Sequence, residues 1–135
     1  MTIDAASLNI GATSVGPTGG TATALSLIGG AKPGSSCAAF DTDTTKISRR
    51  LFTFTPVPAP TSKSSVTGYG KERRFVTIKW PVEVSTGVYE DAIFKGELAE
   101  PVTVSSAIIT EHTLQIAQVF SNSALNGFFT LGNTG

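Results

Sequence analysis

The chain has little of what catalytic and secreted proteins are commonly built from. Cys37 is the single cysteine among 135 residues, so neither an intrachain disulfide nor a cysteine zinc cluster can form. Its expected role is that of a small buried hydrophobe. His112 is the only histidine, and no GxSxG, HExxH, P-loop or EF-hand pattern occurs. Glu90, Asp91 and Glu97 are carboxylates without an accompanying nucleophile. These absences point away from an enzyme and call for no catalytic residue, no cofactor and no metal. No apolar run reaches the roughly 18 residues of a membrane span. The opening MTIDAASLNIGATSV lacks Lys and Arg and does not read as a secretory signal. The expectation is a protein made and used in a cytoplasm, with no membrane partner.

Charge is scarce as well, at 15% of residues against 40% hydrophobic, with 14 Gly and 7 Pro. That balance favours a β-rich globular fold over disorder, and the length suits one domain over residues 1–135 with one core. The net charge of zero hides an uneven distribution. From Lys46 to Lys79 there are eight Lys or Arg against Glu72 alone, and from Trp80 onward only Lys95 is positive against six acids. Such asymmetry either steers polyanions to one surface or pairs complementary surfaces between subunits.

The strongest pattern is RRFVTIKWPVEV, Arg73 to Val84. Val76, Ile78, Trp80, Val82 and Val84 share one parity and Arg73, Phe75, Thr77, Lys79 and Glu83 the other, which makes a strand with one apolar and one polar, basic face. A solvated outer face is ordinary, and a surface of Lys, Arg and Thr is also suited to lie along a polyanion. Pro81 within this strand is expected to mark a bulge or a gap in pairing.

Along the chain, Ser7 to Ser14 and Thr21 to Ile28 read as two strands of a hairpin around VGPTGG. GGAKPGSS breaks the chain again, CAAF forms a short strand, and DTDTT a turn in which Asp41 and Asp43 bond local backbone rather than a cation. Lys46 to Val57 is the next strand, with Phe52 and Phe54 on one side and Arg49, Leu51, Thr53 and Thr55 on the other. A long loop, PAPTSKSSVTGYGKE, lacks the spacing of a phosphate cradle. After the tight STG turn, Val88 to Val104 is extended, with Ala92, Phe94, Gly96 and Leu98 inward and Ile93, Lys95 and Glu97 outward; Pro101 limits its pairing. From about Ser106 the period changes: Ile109, Ile116, Ala117, Phe120 and Ala124 recur at helical steps. Ser105 or Ser106 is placed to cap this helix, Glu111 suits its early turns, and Asn126-Gly127 ends or kinks it. FFTLGNTG adds a short second helix or an apolar tail whose Phe128 and Phe129 need burial.

This order of elements, with the local segments RRFVTIK, KGELAEP and the terminal amphipathic stretch, resembles the coat proteins of the single-stranded RNA bacteriophages, the leviviruses. The resemblance implies an α+β fold: an antiparallel sheet with an N-terminal hairpin, then one or two C-terminal helices that pack on the partner subunit's sheet. It implies interlocked homodimers with one continuous sheet, assembly into an icosahedral shell around single-stranded genomic RNA, and a place in the virion. In studied relatives the inward sheet face also grips an RNA stem-loop and represses translation. By that pattern the RNA-binding residues are Thr77 and Lys79 of the TIK segment, Lys95 of the following strand, and Arg49, Thr53 and Thr55 of the preceding one. Where relatives carry a base-stacking tyrosine this chain has Ile93; Tyr89 shares its parity, but about 13 Å away along the strand. The residues alone also allow a cellular β-sheet nucleic-acid-binding module that builds no shell.

Overall fold

The computed structural model describes residues 8, 10, 11, 15, 16, 19–29, 34–59 and 70–132. The chain divides into two compact units, Gly20–Val102 and Met1–Gly19 with Thr103–Gly135. The first is a five-stranded antiparallel sheet in sequential order: β1 (Leu25–Gly29), β2 (Ser36–Phe40), β3 (Leu51–Val57), β4 (Lys71–Ser85) and β5 (Val88–Pro101). The second contains α1 (Ser106–Ser121), a short 3-10 turn (Ser123–Leu125) and α2 (Asn126–Leu131). No helix among the described residues is long and apolar enough to cross a membrane.

β4 and β5 form the long hairpin. Gly87, at φ 75°, takes the left-handed turn conformation that a side chain would resist, and its N–H donates to Glu83 Oε1 at 2.9 Å. Pairing runs from Lys71 opposite Pro101 to Ser85 opposite Val88, with one irregularity between Glu83 and Ser85. Pro81 is not the bulge expected of it; it sits in register opposite Asp91. β3 pairs with β4 only as far as Lys79, so on that side no strand partner stands opposite Pro81.

The N-terminal hairpin is present but lies one element later than its expected place. β1 pairs with β2, Leu25 opposite Phe40 and Leu27 opposite Ala38, so the GGAKPGSS segment connects the two strands. Ile28 is the extra residue where the register shifts, next to Gly29 at φ 110°. Of the strand expected over Ser7 to Ser14, Ile10 and Gly11 form a turn; most of its other residues, like most of the long loop with GYGK, lie outside the described residues.

β3 begins at Leu51, later than the expected Lys46. Ser48 and Arg49 donate their amides back to Thr45 O, making a turn. The Arg50 amide goes to Asp43 Oδ2 at 3.1 Å, and the Arg50 guanidinium meets both Asp43 oxygens at 2.8 and 3.0 Å. The same guanidinium lies over the rings of Phe40, at 4.6 Å, and Trp80, at 5.3 Å. Asp43 thus bonds backbone as anticipated, and an ion pair besides. These bonds from Arg50 hold the Asp43 carboxyl below its ordinary value of 3.8, and Asp43 in turn pushes Arg50 up. A depressed carboxylate stabilises the fold fully above its unfolded-state pKa and less as the pH falls through the folded value. Asp43→Ala is therefore expected to melt below the wild type near neutral pH, and the gap should narrow once the pH drops below about 4. Equal separation of the two melting curves at pH 6 and pH 3 would rule out the clasp.

In the second unit Ser105 caps α1, its Oγ accepting from the Ile108 amide at 3.4 Å. Glu111 falls past the first turn and instead accepts from the Gly11 amide at 3.0 Å. The helix ends at Ser121, earlier than expected, because the Asn122 side chain caps the next turn through the Ala124 amide at 2.9 Å. Asn126 and Gly127 consequently open α2.

The buried apolar residues among those described are Cys37, Ala38, Ala39 and Pro81. A single core of the size the length permits is not closed by these residues. The apolar side chains of β3, β4 and β5 stay open instead.

Candidate nucleic-acid interface

Directly paired residues in an antiparallel sheet point to the same side, so the register sorts the sheet into two faces. One row runs Cys37, Thr53, Thr77, Lys95; the next on one side is Leu51, Lys79, Ile93, and on the other Thr55, Phe75, Glu97. Five of the six expected RNA-binding residues, Thr53, Thr55, Thr77, Lys79 and Lys95, therefore occupy three neighbouring rows of one face. Rows of one face are about 7 Å apart and strands about 4.8 Å, so the group fits within a patch on the order of 15 Å across. Arg49 is the exception. It precedes β3 and is outside the register, and its Nε is buried without a hydrogen-bond partner in the structure. The alternation that would have placed it beside Thr53 starts only at Leu51.

The opposite face carries Phe54, Val76 and Gly96 in one row, Ala38, Phe52, Ile78 and Phe94 in the next, then Trp80 and Ala92. Gly96 leaves room for the Phe94 ring, since a Cβ there would meet it at 3.0 Å. Phe52 meets Phe40 edge-on at 5.2 Å. Yet Trp80 remains 54% exposed and Phe54 and Phe94 are exposed as well, so part of this apolar face is left facing solvent.

Charge on the polar face is more balanced than the basic middle of the sequence implies. The hairpin folds the acidic strand back on the basic one: Lys79 Nζ meets Asp91 Oδ2 at 3.0 Å, and Arg73 pairs with Glu97. Lys71, Arg73, Lys79 and Lys95 share the face with Glu83, Asp91 and Glu97. Lys95 makes no ion pair with any described residue. Of the two lysines among the threonine rows, Lys95 is thus unpaired among the described residues, while Lys79 is held by its carboxylate. Parity had already placed Phe75 and Glu97 on this face, without a role for either; Asp91 was missed, and its signal was the sign change after Trp80.

No group of three or more metal-ligating side chains is gathered among the described residues. No protein-family model matches the chain, and no curated protein matches it. Among solved structures, the virus-like particle of bacteriophage GQ-907 is similar over 99% of this chain and 100% of its own, with a TM-score of 0.84 at 25% identity. That likeness supports a levivirus-type capsid protein. The virus-like particle of Wenzhou levi-like virus 4 shares the fold at a TM-score of 0.65 and 15% identity, over 85% of this chain and 80% of its own. The expected coat fold, an open antiparallel sheet with an N-terminal hairpin and C-terminal helices, is the one observed. The particles it resembles are structural and not enzymatic, which supports a structural role and a place in the virion.

Ile93, where the resemblance implies a stacking tyrosine, is opposite Lys79 and 56% exposed. Tyr89 lies on the same face but opposite Glu83, away from the threonine rows.

Proposed function

We propose that the chain is a shell-forming, RNA-packaging coat subunit: residues 1–135 act as one coat domain, dimerise, assemble with further copies into an icosahedral shell in the host cytoplasm, and enclose single-stranded genomic RNA. The observation that carries this reading is the division of the sheet into an open apolar face and a polar face bearing Thr53, Thr55, Thr77, Lys79 and Lys95. An amphipathic α1 without a buried residue is suited to cover the apolar face of a second copy. β5 is a 14-residue strand at the sheet edge, and a long unpaired edge invites pairing with an identical strand into one continuous sheet. The similarity to the GQ-907 particle supports shell assembly. The polar face, turned inward, would then meet the RNA, and recognition of a stem-loop on it would give translational repression.

Expression in bacteria should yield ribonuclease-resistant particles that contain host RNA, seen by negative-stain microscopy and by absorbance at 260 nm. A nucleic-acid-free monomer would defeat the reading. Binding of disassembled subunits to RNA should fall when either lysine is lost. Lys95→Ala should lower the salt slope by about one unit, the share of one neutralised phosphate. Lys79→Ala should cost more affinity, because it also leaves the Asp91 carboxylate facing the phosphates. Lys79→Ala combined with Asp91→Asn should recover part of the loss. Unchanged affinity and salt dependence in all three would move packaging to other groups, with Lys63 and the Lys71 to Arg74 cluster next.

A further inference from the structure

We propose that Phe75 is a stacking platform for an unpaired base of single-stranded RNA, an inference that rests on the polar face being the RNA face. The register puts Phe75 at the centre of the sheet, between Thr55 on β3 and Glu97 on β5, so its ring belongs to the polar face. The other aromatic rings of the sheet have a different employment. Phe40 and Phe52 meet each other, Trp80 and Phe40 hold the Arg50 guanidinium, and Phe54 and Phe94 belong to the apolar face. Phe75 is half-buried and pairs with no other ring among the described residues.

What surrounds it is what a base on an aromatic ring requires. One row away lie the Thr53 and Thr77 hydroxyls, able to donate to or accept from base edges, and Lys95, the cation left free for a phosphate. Glu97, directly opposite, would repel a phosphate, but Arg73 engages its carboxylate. Tyr89 is the competing ring on this face; its row-mate Glu83 makes no ion pair with a described residue, while Asp91, one row on, is held by Lys79. A phosphate is repelled by Glu83 there and attracted by Lys95 near Phe75. Single-strand binding commonly combines a cationic track with aromatic rings under the bases, and the stacking is tolerant of sequence because every base offers a π-face. The combination of ring, hydroxyls and free lysine within two adjacent rows is of that kind.

The test uses the full-length protein with two fluorescent probes, a short oligouridylate and a ribose-phosphate strand of the same length without bases. Phe75→Leu should weaken oligouridylate binding by roughly 5- to 150-fold, leave the abasic strand unaffected and keep the salt slope, and Phe75→Tyr should restore affinity. Wild-type-like oligouridylate binding by Phe75→Leu, with Lys95→Ala still impaired, overturns the Phe75 assignment and leaves the RNA face standing. Equal loss of both strands also overturns it, since the ring would then support the fold and not a base. If the wild type binds neither strand, the RNA-face reading fails and the inference with it. Photocrosslinking of wild-type protein to 4-thiouridine RNA needs no variant: an adduct on the Phe75 peptide supports the platform, and adducts confined to other peptides overturn it.

Discussion

Val76→Lys is expected to abolish assembly, whereas Thr77→Lys, one residue further along the same strand, should fold and assemble. Val76 lies between Phe54 and Gly96 on the apolar face, and Thr77 between Thr53 and Lys95 on the polar one. If a second copy covers the apolar face, a lysine at 76 places an ammonium where no carboxylate is opposite it. Burying an unpaired ion costs several kcal/mol even after relaxation, and a twofold assembly pays that cost in each subunit. Native stabilities are about 5–15 kcal/mol, so the loss is enough to leave monomer or aggregate. At 77 the added charge stays in water beside Lys95, with only mild repulsion between like charges and, for RNA, one more phosphate contact. Sedimentation of both variants decides between the faces. Particles of normal stability from Val76→Lys would mean that the apolar face stays exposed in the assembly.

That comparison depends on the part of the fold that was most legible in the sequence. The alternation from Arg73 to Val84 is long and unbroken, and a shift of one residue would exchange every side chain between faces. Both the face assignment and the positions of Thr77 and Lys79 therefore followed from period two alone. The neighbouring strand added Thr53 and Thr55 for the same reason. Arg49 falls outside the register because alternation says nothing about where a strand starts. Asp43 captures the Arg50 amide, and a side-chain acceptor seven residues upstream leaves no trace in a period.

The N-terminal hairpin was misplaced through a similar ambiguity. VGPTGG and GGAKPGSS are both credible breakers, and only the pairing of Leu25–Gly29 with Ser36–Phe40 selects the second. Charge was legible as a total and misleading as a surface. Eight basic residues between Lys46 and Lys79 look like a basic patch until β5 returns with Asp91 and Glu97 beside Lys79 and Arg73. Local sequence carries the sign of a residue, and the register decides which opposite charge lies within reach. Asn126-Gly127, a good helix stop by composition, lies inside α2 because Asn122 had already ended α1 with a better-placed side chain.

Phe120→Ala should separate the stability of the subunit from that of the assembly. Phe120 is 51% exposed, and its ring stacks on Phe129 at 5.0 Å, which in turn meets Phe128 edge-on at 5.3 Å. Three rings thus gather at the end of α1 with much of their surface facing water. Truncation removes the stacking on Phe129, worth about 0.5–1.5 kcal/mol. If the rings are fully buried against a second copy, the cost rises to about 3–5 kcal/mol per subunit. Every 1.4 kcal/mol is about tenfold in an equilibrium constant, so the lower bound already weakens association by roughly a hundredfold for each affected subunit. The expected result is a helix signal in circular dichroism close to wild type in the variant at low concentration, together with failure to form particles at concentrations where the wild type assembles. Loss of the helix signal itself would place the damage in the subunit. Normal assembly with an unchanged melting temperature would show that Phe120 stays exposed, and would remove the C-terminal rings from the subunit interface.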